Sequence, residues 1–172
     1  GSALTGNQYI TLEQAIRPYP KDNLIDNWDW TGVDLSKESQ DVSPKITDSI
    51  QYKVIEKLKQ DDFDVIYDDD YSGEIADIIA IKYLDDKMKV NFYHLKYAKG
   101  GTTSSRIDNF YEVCGQAQKS IHWKHKKGVE FFDHLLRREQ KKYSGATCSR
   151  LEKGSIENLE NYLLIAKKDI TI

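Results

Sequence analysis

The chain has 172 residues, of which 39% are apolar and 31% charged, and its net charge is −3. That suffices for one domain with its own core. It contains no run near the roughly 18 apolar residues of a membrane span, and its charge is too balanced to mark the whole chain as a polyanion binder.

Residues 1–44 are polar and irregular, with prolines at 18, 20 and 44 and the sequence WDW at 28–30. They read as an N-terminal arm ahead of the domain, with TLEQAI as a short helix and Trp28 and Trp30 as its anchors. A helix follows over about 45–60, with Ile50, Val54 and Leu58 as its apolar stripe and Gln51 beside that stripe. Phe63, Val65 and Tyr67 alternate through a strand at 63–69. Ser72-Gly73 turns the chain into a second strand, 74–84, whose continuous apolar run implies burial on both faces. Residues 85–87 form a hairpin turn into a third strand at 89–98, which carries Phe92, His94 and Lys96 on one face.

After the loop GGTTSS a helix runs from about Arg106 to His122. Its predicted core face is Ile107, Phe110, Tyr111, Cys114, Ala117 and Ile121, with Gln118 inside that face and Gln116 opposite. A second amphipathic helix spans 128–143, a short helix lies near 155–161, and YLLIAKKDI, 162–170, reads as a final strand. The fold class is therefore α/β, a mixed central sheet with flanking helices. Cys114 and Cys148 have no metal-ligand spacing and read as reduced thiols of an intracellular, cytoplasmic protein.

Charge is unevenly spread. Residues 61–70 hold six aspartates and no basic residue, whereas 119–153 hold ten Lys/Arg against four Asp/Glu. An acidic cluster near a basic segment suits a cation site beside a polyanion-binding surface, and it equally suits charge kept for solubility. Asp77 lies within the apolar second strand, where a carboxylate costs several kcal/mol unless paired or bound to a cation. One hairpin away, His94 and Lys96 end the third strand. A buried Asp77–Lys96 salt bridge with a neutral His94 beside it is the plain structural account of these three residues.

The element order, the Gly-containing turn before Asp77, the x-x-Lys ending a strand and the helix with a core-facing Gln together resemble the PD-(D/E)xK nuclease superfamily. The resemblance covers roughly residues 45–170 and implies a restriction-endonuclease-like αβββαβ core. In this reading 45–172 is the nuclease-like domain, with a basic helical insertion at about 123–160. The motif's Asp falls on Asp77, preceded here by Ala76 instead of Pro, and its Lys on Lys96. His94 stands where the motif has Glu or Asp. Gln51 matches the Glu or Gln of the first helix, and Gln118 the Gln of the second.

The resemblance implies a metal-dependent deoxyribonuclease using Mg²⁺ or Mn²⁺. Asp77 would be the principal ligand, Lys96 would orient or deprotonate water, and Gln118 would hydrogen-bond water or phosphate. His94 as a ligand favours Mn²⁺ and softer ions over Mg²⁺. Glu74, with Asp69 and Asp70, is near enough in sequence to supply a missing acid. A further outcome is loss of catalysis, with the fold kept for binding nucleic acid or protein. Lys99, Arg106, Lys119, Lys124, Lys126 and Lys127 would hold DNA phosphates, RNA being open as well. Trp123, His122 and His125 lie among these lysines, where they could stack on bases; Trp123 could equally plug the end of its helix. The segment HLKYAKGG…RIDNFYEVCGQAQKSIHWK looks like nuclease-type domains joined to helicases in bacterial restriction or phage-defence proteins.

Overall fold

The computed structural model describes residues 2–5, 8–11, 28–100, 107–124, 126–141 and 148–168. It divides into two units, Gly1–Thr31 and Gly32–Ile172. In the first, β1 (Ser2–Thr5) and β2 (Gln8–Thr11) form an antiparallel hairpin, where an irregular arm was expected. The Trp28 and Trp30 rings stack with centroids 5.9 Å apart. Residues 12–16 of the expected short helix lie outside the described residues. The arm predicted over 1–44 ends sooner, because Asp34 and Gln40 hydrogen-bond into the second unit.

The second unit opens its regular structure with α1 (Ile50–Leu58). Ser49 caps it by accepting from the Tyr52 N–H, 3.2 Å away. Then come β3 (Val65–Asp68), β4 (Ile78–Leu84) and β5 (Lys87–Tyr93). β4 and β5 are joined by Asp85 and Asp86, at φ of 53° and 58°, the two left-handed residues that a two-residue hairpin requires. β5 ends before His94, so His94 and Lys96 lie on an irregular segment that continues from the strand.

α2 (Ile107–Lys124) and α3 (Gly128–Glu139) follow. The predicted last strand is corrected. Residues 162–166 belong to α4 (Ile156–Ala166), whose Ser155–Asn158 capping box starts a helix that buries Leu159, Tyr162 and Ala166 at helical spacing. The fourth strand of the sheet is β6 (Leu151–Lys153), between the helices expected at 128–143 and near 155–161. Gly154 ends it at φ 86°, where an added Cβ would stand 2.7 Å from the Asp64 carbonyl oxygen.

The sheet order is β5-β4-β3-β6, and every neighbouring pair is antiparallel. This replaces the expected mixed sheet, because β6 meets β3 with Tyr67 opposite Leu151 and the two strands opposed. Val65, Tyr67, Ile79 and Ile81 pack with Phe131, Phe132 and Leu135 of α3 and with Leu159 and Tyr162 of α4. α1 packs against β4. The segment expected as an insertion over 123–160 thus contributes α3 to the core itself. Trp123 stands edge-on to Phe131, with centroids 6.3 Å apart, as a packing residue.

Candidate functional site

The end of β3 and the chain from it to β4 carry Asp68, Asp69, Asp70, Glu74 and Asp77, and two arginines shape this stretch. Asp69 is buried and ion-paired with the Arg138 guanidinium. Its Oδ2 accepts from the Ile75 N–H at 2.6 Å. Arg138 also donates to the carbonyls of Asp69 (2.7 Å), Asp70 (2.8 Å) and Ser72 (2.9 Å). Arg150 donates to those of Asp68 (3.1 Å) and Asp70 (2.9 Å). Loop carbonyls that no strand partner satisfies are thereby satisfied. Both arginines come from the basic segment 119–153 and are turned inward to do this.

The loop so held brings Asp70 and Glu74 to Asp77, with one carboxylate oxygen from each lying within 4.8 Å of the others. Asp77 is 5% exposed. Its Oδ2 accepts from the Leu95 N–H at 2.9 Å, so the hydrogen bonding of β4 to β5 continues through this side chain. Burial, and then the charges of Asp77, Asp70 and Asp69, push the Glu74 carboxyl up to about 7 against the pull of Arg138. Burial likewise raises Asp68 to about 6, opposed by its hydrogen bond from Gln40.

Gln51 supports this arrangement from behind. Its Nε2 donates to Asp68 Oδ1 (3.0 Å) and to the Asp77 carbonyl (3.2 Å), and its Oε1 accepts from Gln40 N (2.8 Å) and Ser39 Oγ (3.3 Å). All four hydrogen-bonding capacities of the amide are used, so Gln51 is a brace, with no capacity left for a ligand role.

His94 meets Asp77 from the segment after β5. Its Nε2 lies 2.7 Å from Ser120 Oγ on α2, and its Nδ1 lies 3.6 Å from Asp77 Oδ2. The side chain is 8% exposed, and Nδ1 has no hydrogen-bond partner. Lys96 does not pair with Asp77. Its ammonium reaches Glu112 at 2.7 Å and Glu38 at 3.4 Å. Burial lowers the Lys96 pKa, but the hydrogen bond to Glu112 and the two glutamate charges outweigh it, so the net shift is upward. Lys96 is therefore a firm cation and a poor general base.

Gln118 is exposed, and Gln116 takes its place. Gln116 lines a cleft of about 430 Å3 together with Ser72, Gly73, Glu74, His94 and Lys119, and its Oε1 is buried without a partner. The helix is rotated from the predicted face, leaving Tyr111 and Ile121 exposed at 70% and 55%. Ser120, hydrogen-bonded to the Ile75 carbonyl, sets this rotation. Lys99, Lys119 and Lys127 are exposed, whereas Lys126 pairs with Glu130 at 2.9 Å. Arg106 lies outside the described residues, as do His125 and the side chain of Lys124.

The donors fit a divalent cation. Three carboxylates converge, and a buried imidazole nitrogen faces one of them with no partner of its own. No family model, no curated protein and no solved structure matches this chain.

Proposed function

We propose that the chain is a metal-dependent nuclease domain that hydrolyses phosphodiester bonds in DNA, similar in plan to the PD-(D/E)xK superfamily. The observation that carries this reading is the convergence of Asp70, Glu74 and Asp77, with the unpartnered His94 Nδ1 facing Asp77 beside a cleft bordered by Lys119. Asp70, Glu74, Asp77 and His94 would hold Mg²⁺ or Mn²⁺. A bound cation would polarise a phosphate oxygen and lower the pKa of an attacking water.

The chain's own groups then have separate tasks. Lys119 attracts the phosphate at the mouth of the cleft, and Lys99 and Lys127 supply further positive surface. Lys96, held as a cation by Glu38 and Glu112, stabilises developing negative charge instead of taking a proton. Gln116 offers an amide beside Glu74, taking the role expected of Gln118. The domain would serve within a restriction or phage-defence protein, with a helicase or another domain of that protein as its partner.

The test is incubation of the full chain with plasmid, linear and single-stranded DNA, and with RNA, in Mn²⁺ or Mg²⁺. Cleavage of DNA that chelation and Asp77→Asn both abolish is the expected result. A second reading, a nuclease-like fold that binds nucleic acid or protein without cutting, draws on the engagement of Lys96 by two glutamates. DNA retention without cleavage in either metal would establish that reading and overturn the first.

A further inference from the structure

We propose that Ser120 is a positioning residue that fixes the tautomer of His94, so that the acidic cleft selects Mn²⁺ over Mg²⁺. This rests on the reading of the carboxylate cluster as a metal centre. The Ser120 hydroxyl has one proton, and two backbone carbonyls compete for it. Ile75 O is 2.5 Å away and Gln116 O is 3.4 Å away. Carbonyls only accept, and two oxygens 2.5 Å apart need a hydrogen between them, so the short contact assigns the proton to Ile75 and not to the ring. Ser120 Oγ is left with lone pairs alone to offer His94 Nε2 at 2.7 Å. Nε2 must then be the ring nitrogen that carries hydrogen.

In a neutral imidazole this leaves Nδ1 as a bare lone pair. That lone pair is buried, has no hydrogen-bond partner and faces Asp77 Oδ2 across 3.6 Å. Two acceptors turned toward each other in a desolvated site repel unless a positive centre stands between them. Two atoms each about 2.1 Å from one ion lie at most about 4 Å apart, so this gap suits shared coordination. Asp70 and Glu74 each bring a carboxylate oxygen within 4.8 Å of one on Asp77, on which the ring's lone pair bears.

The relay that sets the ring also ties it to the segment bearing the acids, because Ile75 lies between Glu74 and Asp77. One hydrogen-bond chain, from the Ile75 carbonyl through Ser120 to His94, thus holds Nδ1 toward Asp77, the acid it faces. Mg²⁺ prefers oxygen donors throughout, whereas Mn²⁺ and the later divalent metals accept imidazole nitrogen more readily.

The test uses the full chain. NMR of the metal-free wild type at neutral pH should show His94 as the Nε2–H tautomer. Mn²⁺ bound to the wild type should show 14N modulation in pulsed EPR. Ser120→Ala, with its fold checked by circular dichroism, should bind Mn²⁺ about tenfold more weakly. Mg²⁺ affinity, read by competition, should change less than about threefold. A ring protonated at Nδ1 in the wild type overturns the inference without any variant. So does bound Mn²⁺ lacking 14N modulation, or a folded Ser120→Ala protein with wild-type Mn²⁺ affinity, and in both cases the metal centre itself stands. Failure of the wild type to bind Mn²⁺ or Mg²⁺ at all overturns the metal reading as well.

Discussion

At the scale of single residues, Asp77 and Lys96 are held by separate partners even though both border the end of β5. Asp77 is buried among other acids and accepts from the Leu95 N–H. Lys96 answers to Glu38 and Glu112. Asp77→Asn should therefore remove both metal binding and cleavage, since a neutral amide replaces the anionic donor. Lys96→Ala should lower the cleavage rate by about 10²- to 10³-fold, the usual cost of losing one charge stabiliser, while calorimetry finds Mn²⁺ bound as in the wild type. Equal loss of metal binding in both variants would place Lys96 in the metal centre and refute the separation. Both residues were legible in the sequence because a carboxylate in an apolar strand and a lysine at a strand end violate local pattern. Gln116 was not, since its importance depends on how α2 is rotated. The hydrogen bonds of Ser120 to Ile75 and His94 decide that rotation, and the helix's apolar stripe does not.

At the scale of elements, the alternation in β3 and β5, the continuous apolar run of β4 and the stripe of α1 expose those four elements to sequence reading. β6 escaped it. Three residues, two of them charged, form a strand only because the free edge of β3 is there to pair with them. α4 was mistaken in part for a strand because its continuous apolar run carries no clear period. The loop between β3 and β4 shows a different kind of dependence. Its shape is imposed by Arg138 from α3, which binds the Asp69 carboxylate and three loop carbonyls. Arg138→Ala should cost about 3–5 kcal/mol in urea unfolding, because it leaves Asp69 as a buried, uncompensated charge. Arg138→Lys keeps the charge but loses the planar fork, so it should fall between the alanine variant and the wild type. A wild-type midpoint for Arg138→Ala would mean that the loop holds itself.

At the scale of the whole molecule, charge closes the fold as well as serving its surface. Glu152 on β6 gathers Lys45, Lys59 of the α1 C-cap and Gln40 from distant parts of the chain. Burial raises its pKa, but Lys45 and Gln40 more than offset this and hold it below the ordinary value of 4.5. A depressed carboxyl contributes stability that is fully present above its unfolded pKa and lost as pH falls through the folded one. Glu152→Gln should thus destabilise the protein by about 1–3 kcal/mol at neutral pH. The gap between variant and wild type should close on acidification below about pH 4.5, as urea melts across pH would show.

The same inward use of charge limits the outer surface. Arg138 and Arg150 serve the acidic loop, and Lys126 is paired with Glu130. Of the residues expected to hold DNA phosphates, Lys99, Lys119 and Lys127 are exposed among the described residues. About three phosphate contacts release few counterions, so log K for duplex DNA against log salt should have a slope of about −3. Fluorescence anisotropy in a salt series measures this. A slope several times steeper would show that a much broader basic surface engages the duplex. A slope near −3 that falls by about one in Lys119→Ala would place one phosphate at the mouth of the cleft.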